Sequence, residues 1–368
     1  MLRAIGLMSG TSLDGVDAAL VETDGVAIGS LGPRLTLAYD DALRADLRML
    51  LDRAPALAAT RRTTSGGADD ALLARCVAGL TAYHAQAVAA LDCPADIVGF
   101  HGQTILHRPA AGLTWQIGDA SALAAATGLR VVHDFRAADI AAGGEGAPLA
   151  PIFHAALAAG LEGPVAVLNL GGVANLTFLN GEQLLACDTG PGNALLDDWA
   201  ARHTGARFDA GGALAAAGTV DRAVLARLLA HPYFARTAPK SLDRLDFAAH
   251  GAASGLDALT AADGAATLVA FTVGAIAATP LPARPARWLV TGGGRRNPAL
   301  MAALAASLGV PVDPVEALGW DGDALEAQCF AYLAARSLAE LPLSYPGTTG
   351  VPGPMPGGVV TDPPPAKR

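Results

Sequence analysis

Leu7-Met8-Ser9-Gly10-Thr11-Ser12-Leu13-Asp14-Gly15-Val16-Asp17 is the stretch on which the reading of this chain turns. An apolar run, Ala4 to Met8, enters a turn of Gly, Ser and Thr, and a second apolar run, Val16 to Val21, leaves it. The pattern predicts a β-hairpin wrapped around an anion. Glycines at 10 and 15 let backbone N–H groups approach a phosphate without Cβ interference, and the hydroxyls of Ser9, Thr11 and Ser12 add donors. Asp14 can hold a hydrated divalent cation beside them. An ordinary Gly/Ser hairpin turn has the same composition when it stands alone.

Two further segments repeat the theme. Val165 to Leu179 (VAVLNLGGVANLTFL) is an apolar strand, a turn at Asn169 and Gly171-Gly172, and an alternating run through Asn175. Trp288 to Gly294 (WLVTGGG) leads from a strand through Gly292, Gly293 and Gly294 into a helix starting near Asn297-Pro298. Such a backbone can lie flat against an adenine or ribose while the helix N-terminus adds a favourable dipole. Two hairpins and a strand–GGG–helix platform resemble the ATP site of the actin, sugar-kinase and heat-shock-chaperone superfamily. No G-x-x-x-x-G-K-[ST] occurs, and no G-x-G-x-x-G joins a strand to a helix with an acidic partner.

Composition fits a large two-domain enzyme. The 368 residues correspond to about two or three domains of typical size. A net charge of −9 argues against nucleic acid or an anionic membrane as partner. Of 25 Lys and Arg residues, Lys240 and Lys367 are the lysines. Cys76, Cys93, Cys187 and Cys329 form no C-x-x-C pair and read as reduced thiols of a cytoplasmic protein. No basic start and cleavage site frame the first apolar run, so no signal peptide is expected. Gly264 to Ala283 is uncharged and long enough to span a bilayer, but its Ala, Gly and Thr content, with Pro280 and Pro282 at its end, favours a helix buried between domain layers.

Residues 66–91 carry apolar positions at helical spacing. Asp96 to Phe100 reads as a short buried strand ending at His101-Gly102-Gln103-Thr104, Thr114 to Asp119 as another strand end, and Val131-Val132 as a strand running into His133-Asp134-Phe135-Arg136. Polar clusters at the carboxyl ends of buried strands are where α/β folds place ligand groups. Ala141 to Pro151 is a Gly/Pro-rich crossover and the best domain boundary. The tail from Leu341 is expected to form no regular element, only an ordered edge and a frayed end.

The best candidate base is Asp188, in Cys187-Asp188-Thr189-Gly190-Pro191-Gly192-Asn193, between a short strand (Gln183 to Ala186) and a helix (Ala194 to His203). Its carboxylate either points into a cleft from the turn or simply caps that turn. Asp197 and Asp198 read as surface charges at the helix start. Glu326, early in a helix, either hydrogen-bonds a hydroxylated ligand or is a solvated helix charge.

GLMSGTSLDGVD, GFHGQTILHRP, WQIGDA, HDFRAADIAAGGEGAPLAP, NLGGVANLTFL, CDTGPGNALLDDW, VTGGGRRNP and WDGDALEAQCFAYLA, in this order, resemble the 1,6-anhydro-N-acetylmuramic acid kinase family along nearly the whole chain. The resemblance implies an α/β fold of two RNase H-like lobes with an ATP cleft between them. It implies one lobe at about 1–140 plus 323–368, with the phosphate-binding hairpin and the C-terminal helix, and a second at 141–322. The family implies a cytoplasmic, usually homodimeric enzyme of bacterial cell-wall recycling that uses ATP and Mg²⁺. Its reaction takes 1,6-anhydro-N-acetylmuramic acid, ATP and water to N-acetylmuramic acid 6-phosphate and ADP.

Carried over residue by residue, Gly10, Thr11, Ser12, Leu13, Asp14, Gly15, Val16 and Asp17 match the ATP-phosphate loop, with Asp14 reaching the metal through water. Gly171, Gly172, Asn175, Gly292, Gly293 and Gly294 join the ATP site, and Asp188 matches the catalytic base. Glu326 matches a carboxylate that contacts the sugar; Ser9, Gln103 and Asp119 match substrate-side positions. Two departures are visible. The family commonly has Gln where Glu145 stands, and Thr-Gly-Arg-Glu where this chain has Leu242-Asp243-Arg244-Leu245, which leaves Lys240 and Ser241 without a role. The cation that reads the lactyl carboxylate, Arg136 or another, stays open. A hexokinase-like or acyl-phosphate kinase would share the ATP loops. So would a chaperone-like ATPase, although little chain follows the GGG platform to hold a peptide-binding domain. Lobe closure is an expectation from fold analogy.

Overall fold

The computed structural model describes residues 1–10, 12–60, 68–240, 242 and 247–365. The chain forms two compact units, Met1–Leu157 with Ala324–Arg368, and Ala158–Asp323. Each is built on one sheet.

In the first unit, strands β1 (Leu2–Ser9), β2 (Gly15–Thr23) and β3 (Ile28–Ala38) form an antiparallel meander, and β1 then pairs in parallel with β4 (Ile97–Arg108). Strand β5 (Leu113–Ile117) turns back on β4, and β6 (Arg130–His133) pairs with β4 in parallel. The sheet order is therefore β3-β2-β1-β4-β6, closed at its edge by Val359–Thr361. In the second unit, β7 (Val165–Leu170), β8 (Val173–Asn180) and β9 (Gln183–Pro191) form an antiparallel meander. Parallel strands β10 (Arg287–Thr291) and β11 (Val312–Pro314) extend it in the order β9-β8-β7-β10-β11. The two orders are the same. Both units are RNase H-like lobes of an α/β protein.

Strand alternation sorts the faces of the first sheet. Ile5 and Leu7 join the core with Leu47, Leu50, Leu72 and Leu80 from the helices Asp41–Thr60 and Ala68–Ala90. The second helix buries Leu72, Cys76, Leu80, His84 and Ala87, the i, i+4 stripe expected of residues 66–91. Gly6 points to the opposite face, and its cross-strand partner is Gly99. A Cβ on Gly6 would lie 1.8 Å from the Ala327 carbonyl oxygen, and one on Gly99 2.0 Å from that of Phe330. Two glycines side by side thus let the helix Leu325–Leu338 lie directly on the strands, a close approach no side chain permits. That contact places Glu326.

Three expectations need correction. His101-Gly102-Gln103-Thr104 does not follow a short strand; it lies inside β4, which continues to Arg108. The register with β1 shifts between Leu7 and Ser9, and beyond it the strand pairs antiparallel with β5. The tail from Leu341 does form regular elements, the helix Pro346–Thr349 and the strand Val359–Thr361. Arg336 holds it, with Nε donating to Pro342 O at 2.8 Å and Nη2 to the Tyr345 hydroxyl at 3.1 Å. Ala141–Pro151 lies within the first unit, because the buried Asp139 accepts from Gly146 N at 2.6 Å and Thr349 Oγ1 at 2.6 Å, and Glu145 N donates to Thr349 O at 2.8 Å.

The apolar window from Gly264 falls mostly in the helix Ala261–Ala277, which Thr260 caps by accepting from Asp263 N. It packs in the second unit's core with Leu168, Trp199 and Phe178, and Trp199 Nε1 donates to Ala261 O at 2.8 Å. No helix among the described residues is long and apolar enough to cross a membrane. The four cysteines are free.

Candidate active site

The first unit presents the hydroxyl-rich hairpin. Met8 pairs with Asp17 at its base, and the turn closes with Leu13 N donating to Gly10 O at 3.1 Å. Leu13 holds φ at +59°, a conformation that side chains resist, and its fully buried side chain is the anchor that sustains it. Tyr39 N donates to Asp14 O at 3.1 Å, while Arg44 donates from Nε to Leu13 O and from Nη2 to Tyr39 O, both at 3.1 Å. Ser12 and Asp14 are exposed on this turn. Asp17 accepts from Thr36 Oγ1 at 2.5 Å. Thr11, assigned to the phosphate loop, lies outside the described residues.

Ser9 and Gln103 are brought together and buried. The Tyr39 hydroxyl donates to Ser9 Oγ at 2.7 Å, and Ser9 Oγ donates to Gln103 Oε1 at 2.6 Å. Burial pushes the Tyr39 hydroxyl well above its ordinary range, so this relay is neutral. Asp119 is elsewhere: exposed, it caps the helix Ala120–Thr127 by accepting from Ala122 N at 2.9 Å. Glu326, at the outer edge of its helix, keeps solvent contact. Its carboxyl is nevertheless held above the ordinary range by desolvation first and the Asp17 carboxylate next, with Arg136 opposing. Arg136 donates to Gly146 O at 2.7 Å and to His101 Nε2 at 3.0 Å, while His101 Nδ1 lies 2.9 Å from Gly102 O. Burial first, and the Arg136 charge next, keep His101 neutral.

The second unit gathers the other motifs. Thr291 pairs with Asn169, so β10 delivers its glycines beside the turn between β7 and β8. Gly292 has φ of +75°, and a Cβ there would meet Asn169 Oδ1 at 2.3 Å and Leu170 C at 2.7 Å. Asn193 closes the corner: its N donates to Gly171 O at 2.7 Å and its Nδ2 to Leu170 O at 2.8 Å. Asn297 caps the following helix, Pro298–Leu308, by accepting from Leu300 N. Gly171, Gly172 and Gly292 to Gly294 therefore form one backbone-lined corner. Arg295, which no motif singled out, braces it by donating from Nη1 to Gly292 O at 3.0 Å and pairing with Glu316 and Asp323.

Asp188 lies inside β9 opposite Asn175, next to a register shift, and not in a turn after a strand ending at Ala186. It caps nothing at the helix Ala194–Thr204, which has no side-chain cap. Its partners come from far along the chain. Asp188 N donates to Lys240 O at 2.9 Å, the Tyr233 hydroxyl donates to Asp188 O at 2.7 Å, and Leu242 N donates to Asp188 Oδ2 at 2.8 Å. Burial pushes the Asp188 carboxyl up to about 6, against the Leu242 amide and the Lys240 charge, which pull it down. A carboxylate poised near neutrality and fixed by backbone is suited to general-base work. Ser241 and residues 243–246 lie outside the described residues. Tyr39, Arg44, Tyr233 and Asn193 were not legible as site residues, since each acts on a motif distant in sequence or through backbone.

A family model for "Anhydro-N-acetylmuramic acid kinase" matches residues 2–363. A protein of that name from Acidiphilium cryptum (strain JF-5) is 62% identical over 366 residues, covering 99% of both chains. One from Gluconobacter oxydans (strain 621H) is 58% identical over 362 residues, covering 95% of this chain and 97% of that one. Among solved structures, a ROK family glucokinase from Streptomyces griseus is 15% identical with a TM-score of 0.40, over 90% of this chain and 98% of that one. With its two RNase H-like lobes and a family match across nearly all its length, the chain belongs to the anhydro-N-acetylmuramic acid kinase family.

Proposed function

We propose that this protein is an ATP-dependent kinase that hydrolytically opens 1,6-anhydro-N-acetylmuramic acid and phosphorylates O6, giving N-acetylmuramic acid 6-phosphate and ADP. The observation that carries the reading is the full-length family match in a chain whose Asp188 has one oxygen tied to a backbone amide. The physiological setting is bacterial cell-wall recycling in the cytoplasm, and the active form is a homodimer.

The 1,6-ether ties the anomeric carbon to O6, so opening it needs water at C1 while O6 leaves. An inverting glycosidase supplies a second carboxylic acid to protonate the leaving oxygen. Here the γ-phosphoryl group captures it instead, and one base suffices. The Leu242 amide occupies Asp188 Oδ2. Oδ1, unbonded among the described residues, takes the proton as the water oxygen bonds to C1. The C1–O6 bond breaks, O6 bonds to the γ-phosphorus, and the bond from phosphorus to the ADP oxygen breaks. In the first unit the loop from Gly10 to Asp17, and in the second Gly171, Gly172, Asn175 and Gly292 to Gly294, are assigned to ATP, which glycine-rich backbone suits through its N–H donors. Ser9, Gln103 and Glu326 serve the sugar.

Among the described residues no cluster of three or more His, Cys, Asp or Glu is arranged to hold a metal. That donor set fits a Mg²⁺ carried mainly by phosphates and water, with Asp14, exposed on the hairpin tip, as its contact through water. The ion would neutralise charge on the transferring phosphoryl group.

The test is an ADP-release assay with 1,6-anhydro-N-acetylmuramic acid in ¹⁸O water. ADP release with one ¹⁸O at C1 of a 6-phosphorylated product is expected. No turnover of this sugar, with turnover of a free hexose, would replace the reading with a plain sugar kinase.

A further inference from the structure

We propose that Lys240 is a positioning residue that acts through Asp188: its buried ammonium, seated on the Tyr233 ring, keeps the Asp188 carboxylate ionised, so that Oδ1, unbonded among the described residues, can take a proton. The inference rests on the assignment of Asp188 as base.

Lys240 is 6% exposed and is one of two lysines in a chain whose other cations are Arg. Its Nζ lies 4.4 Å from the Tyr233 ring centroid and donates one long hydrogen bond, 3.4 Å, to Tyr233 O. Burying an ammonium with so little compensation is unfavourable unless its charge is used. The same residue's carbonyl accepts from Asp188 N, and the same tyrosine's hydroxyl donates to Asp188 O. Lys240 and Tyr233 therefore form one clamp on the Asp188 peptide, and two residues on, Leu242 N holds Oδ2. Backbone fixes where the carboxylate points; the ammonium supplies the charge that the backbone cannot.

Among the described residues, these groups surround the pair. Strand β9 contributes Cys187, whose thiol burial pushes up to about 11, so it is neutral near pH 7. Strand β8 contributes the neutral Asn175 opposite Asp188. The turn Pro232–Ala235 contributes Tyr233, and Arg236 beyond it lies 5.5 Å from the same ring's centroid. Burial first lowers Lys240, and Arg236 works in the same direction, while Asp188 opposes. Asp188 and Lys240 thus stabilise each other's charged forms across the clamp.

The experiment is the pH profile of kcat/KM for 1,6-anhydro-N-acetylmuramic acid, on the full chain, for wild type, Lys240→Met and Lys240→Arg. Removing the charge is expected to move the acid-limb midpoint upward by about one pH unit, so that the loss is roughly fivefold near pH 6, approaches tenfold at about pH 5 and vanishes toward pH 8.5. Lys240→Arg keeps the wild-type midpoint, and the KM for ATP stays the same in all three. If Lys240→Met is insoluble, Lys240→Gln gives the same readout. A loss uniform across pH, or an unmoved midpoint, overturns the inference while the proposed reaction stands. No ADP release by wild type with this sugar overturns the reaction and the inference with it.

Discussion

The two lobes share one sheet order and one antiparallel meander, yet they have been given different work. In the first, the turn between β1 and β2 is rich in hydroxyls and is locked from behind by Tyr39 and Arg44. In the second, the turn between β7 and β8 is bare Gly-Gly, braced by Asn193 and by the glycines after β10. The third strands diverge most. On the first sheet the second-strand carboxylate Asp17 is spoken for by Thr36 of β3, whereas β9 carries Asp188 beside a register shift, with its side chain held by a distant segment. A repeated framework supplies two strand-and-turn platforms, and the proposed base lies on the copy whose third-strand carboxylate is held by a distant segment.

The largest expected effect tests that asymmetry. Asp188→Asn keeps the shape and can still accept from Leu242 N, so kcat is expected to fall about 10³-fold with ATP binding intact by calorimetry. Near-normal turnover would remove the base from β9. The same substitution carries a sign for stability. Asp188 titrates at about 6 in the folded chain against 3.8 as its ordinary value, so between those values the folded state holds the extra proton and stability declines as pH rises through that window. The Asn variant should therefore be more stable than wild type above pH 6, by about 1–2 kcal/mol after allowance for partial solvation. Urea melts at pH 4 and pH 7.5 read this directly, and equal shifts at both pH values would contradict it.

The next largest effect belongs to the first lobe. Gly99→Val places methyl groups where the Phe330 carbonyl lies, so the helix Leu325–Leu338 must lift from β1 and β4. A loss of about 3 kcal/mol in urea unfolding is expected, together with a higher KM for the sugar because Glu326 moves. Unchanged stability would mean that the close approach of helix and sheet is not what seats Glu326.

Smaller still, Arg44→Ala removes two hydrogen bonds to the backbone of the β1–β2 turn segment. At about 1 kcal/mol the KM for ATP rises roughly fivefold, with little change in kcat. The smallest is Tyr39→Phe, which takes one neutral hydrogen bond from Ser9 and is expected to cost about 1 kcal/mol or less, seen in stability and the sugar KM. If Arg44→Ala changed kcat instead of the ATP KM, the assignment of this turn to ground-state nucleotide binding would fail.

Local pattern made much of this legible. The apolar runs either side of Ser9 to Asp14, the Asn169 to Asn175 turn and the strand–GGG–helix of Trp288 to Gly294 announce themselves because a turn's chemistry is carried by residues adjacent in sequence. The helix over Ala68–Ala90 was equally plain, since its buried stripe repeats at i, i+4. Other features needed the folded chain. Whether β4 ends at Phe100 or runs to Arg108 depends on β5 being available as an antiparallel partner. Whether the Pro- and Gly-rich tail is ordered depends on Arg336 and Asp139 reaching it from distant elements. Asp188 was visible as a candidate, but the carboxylate's orientation, its rise to about 6 and its dependence on Lys240 and Leu242 arise from contacts more than fifty residues away.

The sequence by itself determined the meanders, the turn chemistry and the presence of a carboxylate in the right neighbourhood, because these follow from residue type and short-range spacing. Only the tertiary structure decided which oxygen of Asp188 the Leu242 amide holds, that Asp119 caps a helix while Ser9 and Gln103 meet, and that Gly6 and Gly99 admit a helix from the far end of the chain. Burial, desolvation and close approach are properties of pairs brought together in space, and no one-dimensional pattern contains them.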